Sequence, residues 1–138
     1  MDPKNNTNKL LLIIEDDNLL AQALETKCTQ VGYTIEKAQD GSEGLKTALE
    51  KHPNLILLDV LMPKMDGLTM LDKLRQDPWG RNVHVIIMSN LDATNEILSK
   101  VADDQPSYYL LKANTTLDQI IEKIQEVLKG DKEGKNAN

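Results

Sequence analysis

Apolar residues fall along the chain in two alternating rhythms. Three short unbroken runs, Lys9 to Ile14 (KLLLII), Leu55 to Leu58 (LILL) and His84 to Met88 (HVIIM), are each bounded by polar or turn residues. Runs of that length read as strands buried on both faces. Tyr33 to Ala38 and Ser107 to Leu111 complete a set of five predicted strands. Between them the apolar positions recur at helical spacing. Leu20, Ala23, Leu24, Cys28 and Val31 form one stripe, with Asn18 the expected N-cap and Gly32 the stop. Leu45, Ala48 and Leu49 form the inner face of a second helix, which Asp40-Gly41-Ser42 opens and His52-Pro53 ends. Gly67 to Arg75 reads as a third, with Leu68, Leu71 and Leu74 inward, and Ile97, Leu98 and Val101 mark a fourth behind Asp92. Residues 103 to 106 break that helix. The last helix is the clearest, with Leu117, Ile120, Ile121, Ile124 and Leu128 spaced i, i+3, i+4, i+7, i+11 before Gly130.

Strict alternation of buried strands with amphipathic helices implies a parallel sheet covered on both faces and joined by right-handed crossovers. The fold class is therefore α/β, a flavodoxin-like (βα)5 doubly wound sheet with strand order 2-1-3-4-5 and its switch point between strands 1 and 3. Residues 9–130 form this one domain. Residues 1–8 and 131–138 are polar and read as disordered tails.

Charge narrows the function classes. The formal net charge of -6, with no clustered basic residues, argues against direct nucleic-acid binding. The single cysteine, Cys28, excludes an internal disulfide, fits a reducing compartment and belongs to the core stripe of the first helix. No apolar run approaches the roughly 18 to 20 residues that span a bilayer, and the Asn-rich N-terminus lacks the apolar segment of a signal peptide. These features predict a cytoplasmic protein without membrane attachment.

The chemistry gathers where the strands end. Strand 1 runs into Glu15 and Asp16, strand 3 into Asp59, strand 4 into Ser89 and strand 5 into Lys112. In open α/β sheets ligands bind at that edge, at the switch point. Close carboxylates raise one another's pKa unless a cation intervenes, and a hard ion with oxygen ligands such as Mg²⁺ suits the set. After Asp59 the chain reads Val-Leu-Met-Pro63-Lys-Met-Asp66-Gly67. This segment resembles the phosphoacceptor segment of bacterial response-regulator receiver domains, in which an apolar strand, Asp, Pro and Asp-Gly follow at the same intervals. With Glu15, Asp16, Ser89 and Lys112 in place, the resemblance covers roughly residues 9 to 129.

The resemblance implies a mechanism. Asp59 would be the phosphorylated nucleophile, taking a phosphoryl group from a sensor histidine kinase or a histidine phosphotransfer protein. Asp16, Asp59 and the backbone carbonyl of Leu61 would ligate Mg²⁺, with Glu15 acting through water. Lys112 would neutralise the phosphoryl charge, and Ser89 would donate a hydrogen bond to it. Ser89 and Tyr109, three residues before the lysine, would form the switch. They would report to a downstream protein through the face made by the helix expected at 92–101, strand 5 and the last helix. A monomer or a weak phosphorylation-dependent dimer is expected. Taken singly, Ser89 reads as a strand-end serine and Lys112 as a solvated charge; their joint placement gives them these roles. Asp17 falls outside the set and reads as a helix N-terminal charge. His52 and His84 lie away from the acidic edge. Trp79, in the turn Asp77-Pro78-Trp79-Gly80, reads as a hydrophobic lid, and Tyr108 as packing on the sheet face opposite Tyr109.

Three positions depart from the family pattern. Ala113 follows Lys112 where proline is usual, and a trans Lys112–Ala113 bond is expected because a cis bond without proline costs about 2.5–4 kcal/mol. Asn90 replaces a small residue, and 103–107 replace a Gly-Ala-Asp turn. Leu61 and Leu91 border the path of a hydrolytic water and cannot orient it, which predicts slow self-dephosphorylation. Only eight residues follow Gly130, too few for an output domain, so a stand-alone phosphoacceptor is expected. A receiver excised from a longer regulator and an unphosphorylated interaction module remain as alternatives. A haloacid-dehalogenase-type hydrolase is disfavoured because Leu61 stands where its second aspartate is required.

Overall fold

In the computed structural model, residues 9–60, 65–89 and 108–137 are described. The five strands are β1 (Leu10–Ile14), β2 (Thr34–Ala38), β3 (Leu55–Asp59), β4 (His84–Ser89) and β5 (Tyr108–Leu111). They pair in parallel in the order β2-β1-β3-β4-β5, as the alternating pattern predicts. Among the described residues four α-helices intervene or follow: α1 (Asn18–Gln30), α2 (Gly41–Lys51), α3 (Gly67–Arg75) and α4 (Leu117–Ala137). The expected N-terminal tail, the helix at 92–101 and the break at 103–106 lie outside the described residues, as do Leu61, Pro63, Asn90 and Leu91.

The continuous apolar runs become strands because successive side chains point to opposite faces and both faces are covered. Leu11, Ile13, Leu55, Leu57, Ile86 and Met88 pack under α1 and α4 with Leu24, Cys28, Ile121 and Ile124. Leu12, Ile14, Ile56, Leu58, Val85 and Ile87 pack with Ala48, Met70, Leu71 and Leu74 of α2 and α3. Tyr108 belongs to the first core and Tyr109 to the second, so the two tyrosines do take opposite faces. Leu49, expected on the inner face of α2, is 38% exposed; the buried positions of that helix are Gly41, Gly44 and Ala48, whose small side chains let it lie close to the sheet.

The helix ends are fixed by side chains. The N-cap of α1 is Asp17, which accepts from the Leu19 and Leu20 amides at 3.0 and 3.2 Å. It displaces Asn18 from the expected cap position because a carboxylate answers both the orphan amides and the positive end of the helix. Asp40 caps α2 through the Glu43 amide at 2.8 Å. Asp66 caps α3 through the Thr69 amide at 2.9 Å and the Thr69 hydroxyl at 3.1 Å. Thr116 and Gln119 exchange hydrogen bonds at the start of α4, a capping box. That helix continues to Ala137, past Gly130 and Gly134, because each glycine lowers helix propensity by only about 1 kcal/mol and need not stop a helix. At the other end of the sheet, His52 closes α2 in the left-handed region at φ 50°. Its ring stacks on Trp79 with centroids 4.2 Å apart and planes 8° apart.

Candidate functional site

The acidic edge is built by register. Ile14 pairs with Leu58, so the next residues, Glu15 and Asp59, leave adjacent strands side by side. Asp59 pairs with Met88 and Ser89 with Leu111, which brings Ser89 one position beyond the level of Asp59 and Lys112 one position beyond Ser89's partner. Glu15, Asp59 and Ser89 are buried, at 1%, 4% and 0% exposure, while Asp16 is exposed.

Glu15, Asp16 and Asp59 each offer a carboxylate oxygen, and the three oxygens lie within 4.8 Å of one another. Lys112 reaches over them: its Nζ is 2.6 Å from Glu15 Oε1 and 3.3 Å from Asp59 Oδ2. The lysine side chain is 16% exposed, so the pairing is shielded from water. Burial pushes the Glu15 carboxyl up to about 7, the Lys112 ammonium works against that rise, and the Asp59 charge adds to it. For Lys112 burial opposes the charged form, but Glu15 and Asp59 outweigh it and hold the ammonium above its ordinary value. Glu15 Oε1 is buried with no aligned hydrogen-bond donor, although the ammonium lies close. A buried acceptor beside two further carboxylates is a donor set that fits a hard divalent cation.

The chain that leaves Asp59 turns back tightly. The Gly67 amide donates to Val60 O at 2.9 Å, and a Cβ on Gly67 would stand 2.2 Å from Asp59 O. Among the described glycines only Gly32 has a positive φ, so Gly67 is required for the close approach of backbone to backbone. The Lys112–Ala113 bond is trans, as expected, since no described peptide bond is cis; residues Lys112–Asn114 form a single 3₁₀ turn.

Of the residues singled out from sequence, Glu15, Asp16, Asp59 and Lys112 come together directly. Ser89 lies at the same edge, and Tyr109 is half-buried against the second core. Leu61 lies outside the described residues. His52 is outside the acidic cluster, and His84 opens β4 at the opposite end of that strand from Ser89. Reading the sequence missed the contact between Gly41 and Met65, because no local pattern marks two loops that meet only in the fold. Among the described residues no helix is long and apolar enough to cross a membrane.

Residues 11–125 match the response regulator receiver domain family. The response regulator PleD of Caulobacter vibrioides is 30% identical over 127 residues, which cover 84% of this chain and 28% of PleD. Several other curated relatives carry the names of transcriptional regulators. The chain thus spans well under half the length of these relatives. Among solved structures, the receiver domain of the Francisella response regulator 1452 superposes with a TM-score of 0.80 at 30% identity, covering 90% of this chain and 99% of that one. A CheY-like receiver domain protein from Methanospirillum hungatei gives a TM-score of 0.84 over 91% of this chain and 98% of that one. At 24% identity, that second likeness speaks for the fold alone. The extent of the family match and the agreement of topology lead to one conclusion: this chain belongs to the response regulator receiver domains of two-component systems.

Proposed function

We propose that Asp59 is the phosphoacceptor of a Mg²⁺-dependent switch. The observation that supports this reading is a buried Asp59 clustered with Glu15 and Asp16 and within 3.3 Å of the Lys112 ammonium. The donor is the phosphohistidine of a sensor histidine kinase or histidine phosphotransfer protein. An Asp59 carboxylate oxygen attacks phosphorus; an O–P bond forms, the P–N bond breaks, and its electron pair stays on the imidazole nitrogen. The nucleophile and the phosphoryl group are both anionic, so the step needs positive charge fixed in place beforehand. Lys112 supplies one such charge from within the fold. Asp16, Asp59 and the carbonyl of Leu61 would hold Mg²⁺ directly and Glu15 through water; the ion when bound neutralises phosphoryl charge as a Lewis acid.

Ser89 then donates its hydroxyl to a phosphoryl oxygen, and Tyr109 follows by turning inward. This shift biases the face made by the helix expected at 92–101, β5 and α4 toward its signalling state. The signal passes in the cytoplasm to a downstream protein, with no direct contact to nucleic acid or membrane. The chain acts as a monomer or as a weak dimer formed on phosphorylation. Leu61 and Leu91 offer no group to orient a hydrolytic water. Self-dephosphorylation is therefore slow, since losing such a group costs about 10² to 10⁴ in rate.

The test is intact-mass measurement after incubation with acetyl phosphate and Mg²⁺. One phosphoryl group is expected on the parent and none on Asp59→Asn. A phosphoryl group on the Asp59→Asn chain at another carboxylate would show that the acceptor is misassigned. Decay of the phosphorylated parent beside Leu61→Asn and Leu91→Glu tests the slow turnover; decay of all three at one rate refutes it.

A further inference from the structure

We infer that Asp17 is a positioning residue for Glu15, acting through its own backbone N–H and not through its charge. The inference rests on the phosphoacceptor reading above and adds to it a residue outside the acidic cluster. The Asp17 amide donates to Glu15 Oε2 at 3.2 Å, while Lys112 Nζ lies 2.6 Å from the other oxygen, Oε1. The buried Glu15 carboxylate is thus held at both of its oxygens. The donor is itself fixed. Asp17 stands in extended backbone at φ -80° and ψ 105°, and its Oδ1 accepts from the Leu19 and Leu20 amides. Its carbonyl accepts from the Ala21 amide at 2.9 Å. The first turn of α1 therefore holds the residue whose N–H meets Glu15. On the other side the Glu15 amide donates to Ala38 O at 3.0 Å. The end of β2 anchors the backbone of Glu15, and the start of α1 anchors its side chain.

A cap normally serves only its helix, but here the capping residue also faces the site with its amide. Loss of the cap frees the Asp17 peptide to turn. A buried acceptor that loses its donor bears the full cost of its lost solvation, so Glu15 would then leave the orientation that meets Lys112. The Asp17 side chain is exposed and spends its oxygen on the helix. Asparagine keeps an oxygen for both amides and removes the charge, so Asp17→Asn separates the cap from the charge.

The experiment is calorimetric titration of Mg²⁺ into the parent, Asp17→Asn, Asp17→Ala and Leu128→Ala chains, with thermal unfolding of each. Asp17→Ala should bind about 10-fold more weakly, the lower end for groups that orient metal ligands from behind, because the N–H survives and only its anchor is lost. Equal affinity in Asp17→Ala and the parent overturns the inference. Asp17→Asn should bind as the parent does, and a loss as large as that of Asp17→Ala assigns the effect to charge and overturns it too. Leu128, buried about three turns into α4, controls for stability: Leu128→Ala should unfold more easily yet keep its affinity, and a loss equal to that of Asp17→Ala there is refuting. In a Glu15→Ala background the further change Asp17→Ala should have no effect. A loss that persists there runs through Asp16 or the cation instead, and the inference fails. A parent that binds no Mg²⁺ overturns the phosphoacceptor reading itself. Amide hydrogen exchange on the metal-free chain then decides the positioning role, as it does should Asp17→Ala fail to fold. The Asp17 amide should lose protection in Glu15→Ala while the Leu19 and Leu20 amides keep theirs, and an unchanged Asp17 rate refutes the contact.

Discussion

Replacing Glu15 with glutamine should change how the metal-free protein responds to pH. The Glu15 side chain is fully buried, and its carboxyl titrates at about 7 against an ordinary value of 4.5. Between those two pH values the folded chain keeps a proton that the unfolded chain has lost. Stability therefore falls as pH rises: the contribution is complete below 4.5 and gone once pH passes about 7. Each pH interval of one is worth about 1.4 kcal/mol, so the whole window is worth about 3 kcal/mol. Glutamine keeps the shape and carries no titrating group, so this component vanishes from Glu15→Gln. The assay is urea unfolding of both chains in a chelating buffer across pH 4.5 to 8. Carboxylates away from the acidic edge titrate alike in the two, so the difference between the curves reports Glu15 together with its coupling to Asp59 and Lys112, and Glu15→Gln should gain on the parent by about 3 kcal/mol over that window. Excess Mg²⁺ should narrow the difference at pH 8, because a ligand that binds only the folded state stabilises the parent. Curves that stay parallel without metal would refute the reasoning, since Glu15 would then ionise as easily in the fold as outside it.

Three further outcomes follow from particular contacts. His52→Ala should destabilise the chain by about 0.5–1.5 kcal/mol through the lost stack on Trp79, whereas His52→Gly recovers part of that loss because glycine accepts φ 50° without strain. Thermal unfolding of the pair checks this, and a glycine variant weaker than the alanine one contradicts it. Asp66→Ala removes the cap of α3 and its bond to the Thr69 hydroxyl and should cost about 1 kcal/mol in urea unfolding; no change would show that water replaces the cap freely. Leu24→Ala opens a cavity under α1 at a position with 0% exposure and should cost about 2–5 kcal/mol, with a loss under 1 kcal/mol marking a core that collapses around the gap.

The sheet was legible because its strands are unusually explicit. Leu10–Ile14 and Leu55–Leu58 are apolar at every position, a pattern that needs cover on both faces and so implies parallel pairing with helical crossovers. Acids placed directly after such runs necessarily fall at the carboxyl edge of the sheet. The capping of α1 was less legible, since Asp16, Asp17 and Asn18 are all competent caps and only the path of the chain into Leu19 and Leu20 selects Asp17. The pairing of His52 with Trp79 was beyond reach for a different reason. It joins the end of α2 to the turn after α3, and a contact between two turns leaves no periodicity in either.

Register is what turns an acidic edge into a site. The crossover from β2 returns the chain to the far side of β1, so β1 and β3 become neighbours although β2 separates them in sequence. Adjacent strands alone would not suffice, because side chains alternate between faces. The pairing of Ile14 with Leu58 sets Glu15 beside Asp59 on the face that carries Ile13 and Leu57. A slip of one residue would invert every apolar contact of β1 as well as the acid. Both cores then resist the slip, since Leu12 and Ile14 would exchange places with Leu11 and Ile13 against helices shaped for the original set. The hydrophobic strands thus hold three carboxylates within 4.8 Å of one another against their mutual repulsion. Lys112 offsets part of that repulsion from the end of β5.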